Sequence, residues 1–277
     1  MNFTIFGGAG FIGNQLINYL RQQGHNVHAP LREDISDTRK PLGHVIYAIG
    51  LTGDFRSRPY DTVEAHVCLL AKLLKTCSFD SWLYLSSTRV YASLPRGAIA
   101  NEQSIISLVP CADTLYDLSK MLGESLCLAH PSPYVRIARL SNVFGIGQSK
   151  HTFLASVLQE LKNSNSVTIY ESQDSCKDYV AIDDVLPLLQ SIATCGKRRI
   201  YNVASGNLTA HASLAEKLVS ITGAKIVFSS NASNRVFPQI DINAIVAEFQ
   251  FSPSMLLDQL NVLLSNPQKK TYQGNTL

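Results

Sequence analysis

The hydrophobic pattern of the first 140 residues alternates between short apolar runs and longer helical repeats. Residues 2–6 form an apolar run, a glycine-rich stretch follows, and Ile12, Leu16 and Leu20 then recur at helical spacing. This order predicts a strand, a tight turn and a helix that ends near Gly24.

The same alternation continues along the chain. Runs rich in β-branched and aromatic residues predict further strands, and apolar residues three or four positions apart predict the helices between them. The predicted strands are 26–31, 44–50, 82–87 and 134–140, and the predicted helices are 63–74 and 115–126, the second of which ends near His130. Alternating strands and helices require crossover connections, which predicts an α/β fold with a doubly wound parallel sheet.

Beyond about residue 150 the alternation becomes less regular. The predicted helices there are 152–161, 183–192 and 213–221, and the predicted strands are 167–170 and 200–203. We expect a large domain over 1–165, a smaller lobe over 166–265 with some weaving of the chain between the two, and a polar tail over 266–277.

Composition narrows the class of protein. The chain has 277 residues, 45% of them hydrophobic and 16% charged, which is typical of a globular protein with a sizeable core. The net charge of +3 comes from scattered Lys and Arg, so we expect no nucleic-acid partner and no membrane surface, and any anionic ligand to be small.

The cysteine spacing and the N-terminal residues indicate the expected cellular location. The six cysteines show no CxxC pair and no short spacing to histidine, so we expect reduced core thiols and no metal site. The N-terminus lacks the pattern of a secretion signal, and no apolar run is long enough to span a bilayer. The cytoplasm is the expected location.

The stretch GGAGFIG at 7–13 is a candidate phosphate-binding turn. Glycine accepts positive φ and allows close approach of a backbone to a pyrophosphate, whose charge is then met by the positive end of the following helix. Gly7, Gly10 and Gly13 form a GxxGxxG pattern after a strand and before a helix, which is the context that dinucleotide binding requires. The alternative is a plain strand-to-helix turn.

The end of the second predicted strand bears on which dinucleotide binds. NAD-binding folds commonly carry an acid there for the adenosine ribose, but this chain has Leu31 followed by Arg32, which can pair with a 2'-phosphate. NADP is therefore favoured over NAD, with Glu33 or Asp34 left as alternative ribose ligands.

The segments YDLSK and LYLSSTRVYA carry candidate catalytic groups. Tyr116 and Lys120 are four residues apart and share one helix face, where an ammonium can acidify a phenol for proton transfer at a sugar hydroxyl or ketone. Ser87 ends a buried strand at the edge where parallel sheets bind ligands, and its hydroxyl is placed to orient the reacting oxygen. The alternatives are a solvated helix face and a serine that merely ends a strand.

These segments together resemble one family, the extended short-chain dehydrogenase/reductases of the NAD-dependent epimerase/dehydratase type, which act on nucleotide sugars. The resemblance covers nearly the whole chain, and its motifs occur in the family's order. They are GGAGFIG (7–13), SSTRVYA (86–92), YDLSK (116–120), RLSNVFG (139–145), KDYVAIDDV (177–185) and YNVASG (201–206).

The resemblance implies a Rossmann-like cofactor domain, a C-terminal substrate lobe, a homodimer and roles for particular residues. The implied catalytic residues are Ser87, Tyr116 and Lys120. Together with Arg32 from the preceding argument, the predicted cofactor-binding residues are Gly7, Gly10, Phe11, Ile12, Gly13, Ala48, Ile49, Gly50, His66, Ser86, Tyr116 and Lys120. The implied substrate-binding residues are Ser87, Asn142, Lys177 and Arg235.

Departures from the family pattern affect details of the site. His66 stands where many relatives have Asn facing the cofactor, Leu31 replaces the ribose-binding acid, and Lys177 replaces an Arg that can bind two oxygens at once. The stretch between the second and third strands is also short, so we expect a strand and helix to be trimmed away there.

The reaction is narrowed but not settled by these residues. Family dehydratases place an Asp-Glu pair after the catalytic hydroxyl residue, whereas this chain has Thr88 and Arg89, which disfavours dehydration. A nucleotide-sugar epimerase and a keto-sugar reductase both remain. His151 and Cys111 are minor candidates for a further acid, because a lone histidine at a helix start is more often a surface or capping residue. The other classes are a non-catalytic NADP-binding regulator and a reductase of a small non-nucleotide ketone.

Overall fold

The protein is described by a computed structural model that covers residues 1–31, 41–51 and 54–265. The strands are β1 (Asn2–Phe6), β2 (Asn26–His28), β3 (His44–Tyr47), β4 (Ser81–Ser87), β5 (Ile99–Ala100), β6 (Val135–Leu140), β7 (Asn142–Phe144), β8 (Ser166–Glu171), β9 (Cys176–Ala181), β10 (Ile200–Val203), β11 (Leu208–Ala210), β12 (Lys225–Ser233) and β13 (Gln239–Ile240). The helices are α1 (Phe11–Gln22), α2 (Pro59–Val63), α3 (Leu69–Thr76), α4 (Leu115–Ala129), α5 (Phe153–Asn163), α6 (Ile182–Cys195), α7 (His211–Thr222), α8 (Asn243–Phe249) and α9 (Leu256–Ser265).

Six parallel strands form the central sheet in the order β10-β6-β4-β3-β1-β2. Strand β1 lies between β2 and β3, so the chain reverses its direction of progress across the sheet at that point. A crevice at the carboxyl ends of the strands forms at such a reversal, and it is the usual ligand site of open parallel sheets.

Both faces of this sheet are covered by helices. One apolar core joins α1 and α6 to residues such as Ile5, Leu83 and Val203, and the other joins α3 and α4 to residues such as Tyr47 and Trp82. The two cores on opposite faces confirm the predicted α/β fold with a doubly wound, Rossmann-like sheet.

The predicted helix over 63–74 is longer and not uniformly α-helical. Helices α2 and α3 are continuous through a π-helical turn over Glu64–Cys68, and Pro59 occupies the first position, where its missing N–H costs nothing. The π turn places His66 against α4, which matters for the site described below.

The second half of the chain contributes both to the central sheet and to a separate core. Strand β10 pairs with β6, whereas helices α5, α7 and α9 enclose a core with residues of β8 and β9. Small sheets β11-β9-β7 and β12-β8 complete this half. The division at 165/166 stays a prediction, and the tail over 266–277 lies outside the described residues.

The observed elements differ from the predicted ones in length and in number. Strands β2 and β3 end at His28 and Tyr47, earlier than the apolar runs suggested, because ladder pairing stops there while the apolar side chains continue. The elements that were not predicted are the strands β5, β7, β9, β11, β12 and β13 and the helices α8 and α9, since segments of two to ten residues carry little periodicity.

Candidate active site

The glycine turn between β1 and α1 is shaped to hold an anion. Gly7 has φ +88°, and a Cβ there would lie 2.7 Å from the carbonyl carbon of Ala48; a Cβ on Gly13 would overlap the Gly7 carbonyl oxygen. Helix α1 begins at Phe11 with Gly10 as its N-cap, and no side chain of the described residues forms a cap hydrogen bond there. These features fit a dinucleotide pyrophosphate.

The predicted adenosine-side segment, 48–50, lies against this turn. The Ala48 amide, directly after β3, donates to the Phe6 carbonyl at the end of β1 at 2.8 Å. A Cβ on Gly50 would lie 3.3 Å from Lys120 Nζ, so this segment also reaches the predicted catalytic lysine. Leu31 is exposed, and the predicted contact of Arg32 lies outside the described residues.

Ser87, Tyr116 and Lys120 converge at the carboxyl end of β4. Lys120 Nζ donates to the Leu85 carbonyl at 2.9 Å, which brings α4 against β4. Ser87 Oγ accepts from the Arg89 amide at 3.2 Å and is hydrogen-bonded to the Tyr116 side chain. Because an amide must donate, the hydroxyl hydrogen of Ser87 is left for the phenol oxygen.

Burial controls the protonation of this group. Burial raises the pKa of Tyr116 to about 12, against the opposing effects of the Ser87 hydrogen bond and the Arg89 charge. Burial lowers the pKa of Lys120 to about 7, while the Glu124 charge acts to raise it. Desolvation dominates the pKa of Tyr116, and the effects that lower it come from Ser87 and Arg89 rather than from the expected ammonium of Lys120.

A wall beside Tyr116 was not predicted from the sequence. Phe55 is 1% exposed and its ring centroid lies 5.4 Å from that of Tyr116. The Arg89 guanidinium lies 4.9 Å from the Phe55 ring and 5.4 Å from the Tyr116 ring, and its Nε donates to Asp117 at 3.0 Å. The ion pair with Asp117 thus holds the Arg89 cation against the Tyr116 phenol. No local sequence pattern predicts this contact.

Behind the site lies a buried ionic network. Ser86, predicted to touch the cofactor, donates its hydroxyl to Glu124 at 2.5 Å. Arg139 binds the same carboxylate through Nε at 3.0 Å and Nη2 at 2.6 Å, and donates from Nη1 to Tyr91 Oη at 2.6 Å. This network connects β4, α4 and β6 beneath Lys120.

The predicted substrate residues lie on the lobe side of the site. Asn142 is exposed and donates from Nδ2 to the Asp178 carbonyl at 2.8 Å. Lys177 is buried, and its ammonium lies 2.9 and 2.8 Å from the two carboxylate oxygens of Glu171. Burial lowers the pKa of Lys177, Glu171 opposes this, and the nearby charge of Arg235 lowers it further, so the two cations share one region.

The two residues considered as a further acid, His151 and Cys111, both lie at the surface. His151 is exposed in the loop before α5, and its amide donates to Ser149 Oγ at 3.4 Å. Cys111 is exposed beside Thr114, at the 3₁₀ turn that precedes α4. Their proposed acid roles stay predictions.

Neither a metal-ligand cluster nor a membrane-spanning helix occurs in the part of the chain that the structure describes. Within residues 1–31, 41–51 and 54–265, no three His, Cys, Asp or Glu side chains come together in a way that could hold a metal ion. The helices in these same ranges are all too short or too polar to cross a membrane.

The doubly wound parallel sheet, with a glycine turn between β1 and α1, defines the fold class as Rossmann-like α/β. The chain belongs to the NAD dependent epimerase/dehydratase family, whose model matches residues 3–204.

Curated relatives are distant. The chain is 23% identical over 273 residues to dTDP-D-glucose 4,6-dehydratase of Dictyostelium discoideum, with 79% of this chain and 61% of that protein covered. It is 21% identical over 263 residues to the low-salt glycan biosynthesis protein Agl12 of Haloferax volcanii, with 80% and 83% covered. The chain thus spans about three fifths of the length of the first of these relatives.

Solved structures share the fold at low identity. MoeE5 in complex with UDP-glucose and NAD has a TM-score of 0.80 at 20% identity, with 95% of this chain and 97% of that chain covered. RMD from Pseudomonas aeruginosa complexed with NADPH has a TM-score of 0.79 at 21% identity, with 96% and 99% covered.

Proposed function

We propose that the protein is an NAD(P)-dependent epimerase or ketoreductase of a nucleotide-activated sugar, in which Tyr116 is the acid/base. The observation that carries this is the convergence of the Ser87 hydroxyl, the Tyr116 phenol and the Lys120 ammonium at the carboxyl edge of β4. A phosphate-binding turn opens onto the same edge of the sheet.

Each group has a distinct task in this proposal. The cofactor, when bound, supplies the hydride acceptor or donor. Tyr116 takes the proton from the sugar hydroxyl or gives it back to the ketone oxygen, and Ser87 orients that oxygen. The Lys120 ammonium stabilises the phenolate, and its pKa near 7 means that a modest change in its surroundings alters its charge at neutral pH.

Dehydration remains disfavoured in this proposal, although relatives and structural neighbours include dehydratases. Thr88 and Arg89 stand where an acid pair is needed. The nearby acid Asp117 is 4% exposed and is engaged by Arg89 at 3.0 Å, so it is not free to act on a substrate.

Among the other classes, a non-catalytic regulator would have no reason to keep Ser87, Tyr116 and Lys120 together at the carboxyl end of β4. A reductase of small ketones would have no use for cations on the lobe side, where Lys177 and Arg235 lie together. Both cations are proposed to bind the substrate diphosphate, Lys177 after exchanging Glu171 for phosphate.

The test is to mix the protein with a panel of nucleotide sugars and keto-sugars, with and without NADPH, and to follow absorbance and product NMR. Tyr116→Phe is then expected to fold and bind cofactor but to lose turnover by about two orders of magnitude or more, because a positioned acid/base contributes roughly that much. Tyr60→Phe is the matched control, since Tyr60 is 88% exposed. Full activity of Tyr116→Phe would remove this residue from the mechanism.

NADP is the proposed cofactor because of Arg32, and the choice is tested by binding. We expect Arg32→Ala to weaken NADPH binding roughly ten-fold and to leave NADH binding unchanged, since only NADPH carries the 2'-phosphate. Arg21→Ala, in the last turn of α1, is the control. Equal losses for the two cofactors, or none, would contradict the role of Arg32.

Assembly and location are proposed on the resemblance alone. We expect a cytoplasmic homodimer formed through the helices at 61–76 and 113–130. Light scattering of the purified protein tests the dimer, and a monomeric mass at working concentration would refute it.

A further inference from the structure

His66 lies between the predicted cofactor segment and the catalytic helix. The residue is 0% exposed, and its ring packs edge-on against the Tyr116 ring with 5.3 Å between the ring centroids. A Cβ on Gly50 would lie 3.1 Å from His66 Nε2. The imidazole therefore touches both the segment at 48–50 and α4.

Hydrogen-bond directions around the ring determine which nitrogen carries the hydrogen. The Ser119 hydroxyl donates to the Tyr116 carbonyl at 2.8 Å, so Ser119 Oγ must accept from His66 Nδ1, which lies 2.8 Å away. The Leu51 amide donates to His66 Nε2 at 3.3 Å, so that nitrogen must present its lone pair. The arrangement is satisfied only by the neutral ring with the hydrogen on Nδ1.

The surroundings of the ring keep it neutral. Burial, and then the charge of Lys120, lower the pKa of His66 to about 2. The other titratable groups facing this residue are Tyr116 on α4 and Tyr84 on β4, whose hydroxyl donates to the His66 carbonyl at 3.4 Å. Neither is an acid that would favour the charged ring at neutral pH.

The hydrogen-bonded chain cannot carry a proton to the reaction. It runs from the Leu51 amide through His66 and Ser119 and ends on the carbonyl oxygen of Tyr116, which has no hydrogen to pass on. Its effect is mechanical: it ties the segment at 50–51 to the first turn of α4.

We propose that His66 is a positioning residue, a neutral ring with its hydrogen on Nδ1 that sets the distance between segment 50–51 and the pair Tyr116 and Lys120. The catalytic consequence rests on the proposed function, whereas the tautomer and its hydrogen bonds do not. The close approach at Gly50 and the π-helical turn that carries His66 are the two features of this chain that make the contact.

The first experiment measures the tautomer in the full chain by imidazole ¹⁵N NMR. The chain has seven histidines, so the His66 signal can be assigned by its loss in His66→Phe or by its shift in Ser119→Ala. We expect the signal of a neutral ring with hydrogen on Nδ1, unchanged from pH about 9 to about 5, where ordinary histidines titrate. Ser119→Ala should weaken this tautomer preference. Titration of His66 within that range, or hydrogen on Nε2, would overturn the proposal.

The second experiment measures NADPH binding by fluorescence titration. His66→Phe keeps a planar aromatic ring and removes both hydrogen bonds, and we expect it to weaken binding roughly three- to ten-fold. His66→Gln, which restores one donor and one acceptor, should recover part of this loss, and Tyr60→Phe is the exposed control. If His66→Phe binds NADPH as tightly as the wild-type protein, the positioning role of His66 is refuted. The turnover of Tyr116→Phe, in contrast, tests only the proposed reaction and not the role of His66.

Discussion

Replacing Lys120 with methionine tests how strongly burial acts on the catalytic ammonium. Methionine has a similar length and no charge, so Lys120→Met removes the cost of burying a cation while filling the same space. The protein without cofactor is expected to become more stable at neutral pH, even though the variant should lose its proposed activity.

The magnitude follows from the pKa. Burial lowers the pKa of Lys120 from 10.5 to about 7, and at about 1.4 kcal/mol for each pKa unit this costs the native state about 4 to 5 kcal/mol at pH 7. Methionine cannot donate to the Leu85 carbonyl, and the loss of this hydrogen bond offsets about 1 to 2 kcal/mol of the gain. The net gain in the free energy of unfolding is therefore about 3 kcal/mol at pH 7.

The pH dependence provides the cleaner measurement. Between pH 7 and 10.5 the unfolded chain binds a proton at Lys120 that the folded chain does not, so the wild-type free energy of unfolding rises with pH in this window. Urea denaturation of both proteins at pH 7 and pH 10 should show the advantage of Lys120→Met shrinking by about 3 kcal/mol. A difference between the two proteins that is constant with pH would refute the reasoning.

Two other variants probe the cofactor turn and the ionic network. Gly13→Ala should abolish or greatly weaken NADPH binding in a fluorescence titration, because its Cβ would overlap the Gly7 carbonyl oxygen. Gly10→Ala, whose Cβ would lie 3.3 Å from the same oxygen, should bind NADPH more tightly than Gly13→Ala, and the reverse order would contradict the turn geometry. Glu124→Gln leaves the buried guanidinium of Arg139 without its charged partner and should lower the free energy of unfolding, measured by urea denaturation, by about 3 to 5 kcal/mol. The exposed control Glu160→Gln should lower it by less than about 0.5 kcal/mol. Similar losses for the two variants would show that the ion pair contributes little.

The fold class and the family could be predicted from local features. The strand, glycine turn and helix of residues 2–22 follow from periodicity alone, and so does the strand that delivers Ser87. Tyr116 and Lys120 share a helix face because four residues separate them, wherever that helix packs. The apolar runs over 26–31 and 44–50 were less informative about length, since a run of apolar residues does not show where ladder pairing stops.

The amino-acid sequence by itself determined which residue types are available and in what order, namely a phosphate turn, a serine at a strand end and a Tyr-Lys pair. The surroundings of these residues depend on the tertiary structure. Phe55 and Arg89 come to Tyr116 through long-range packing, and the His66 ring is oriented by Ser119 and Leu51. Periodicity reports which face of an element is apolar, but the pKa of a buried group depends on neighbours that loops and crossovers bring from distant parts of the chain.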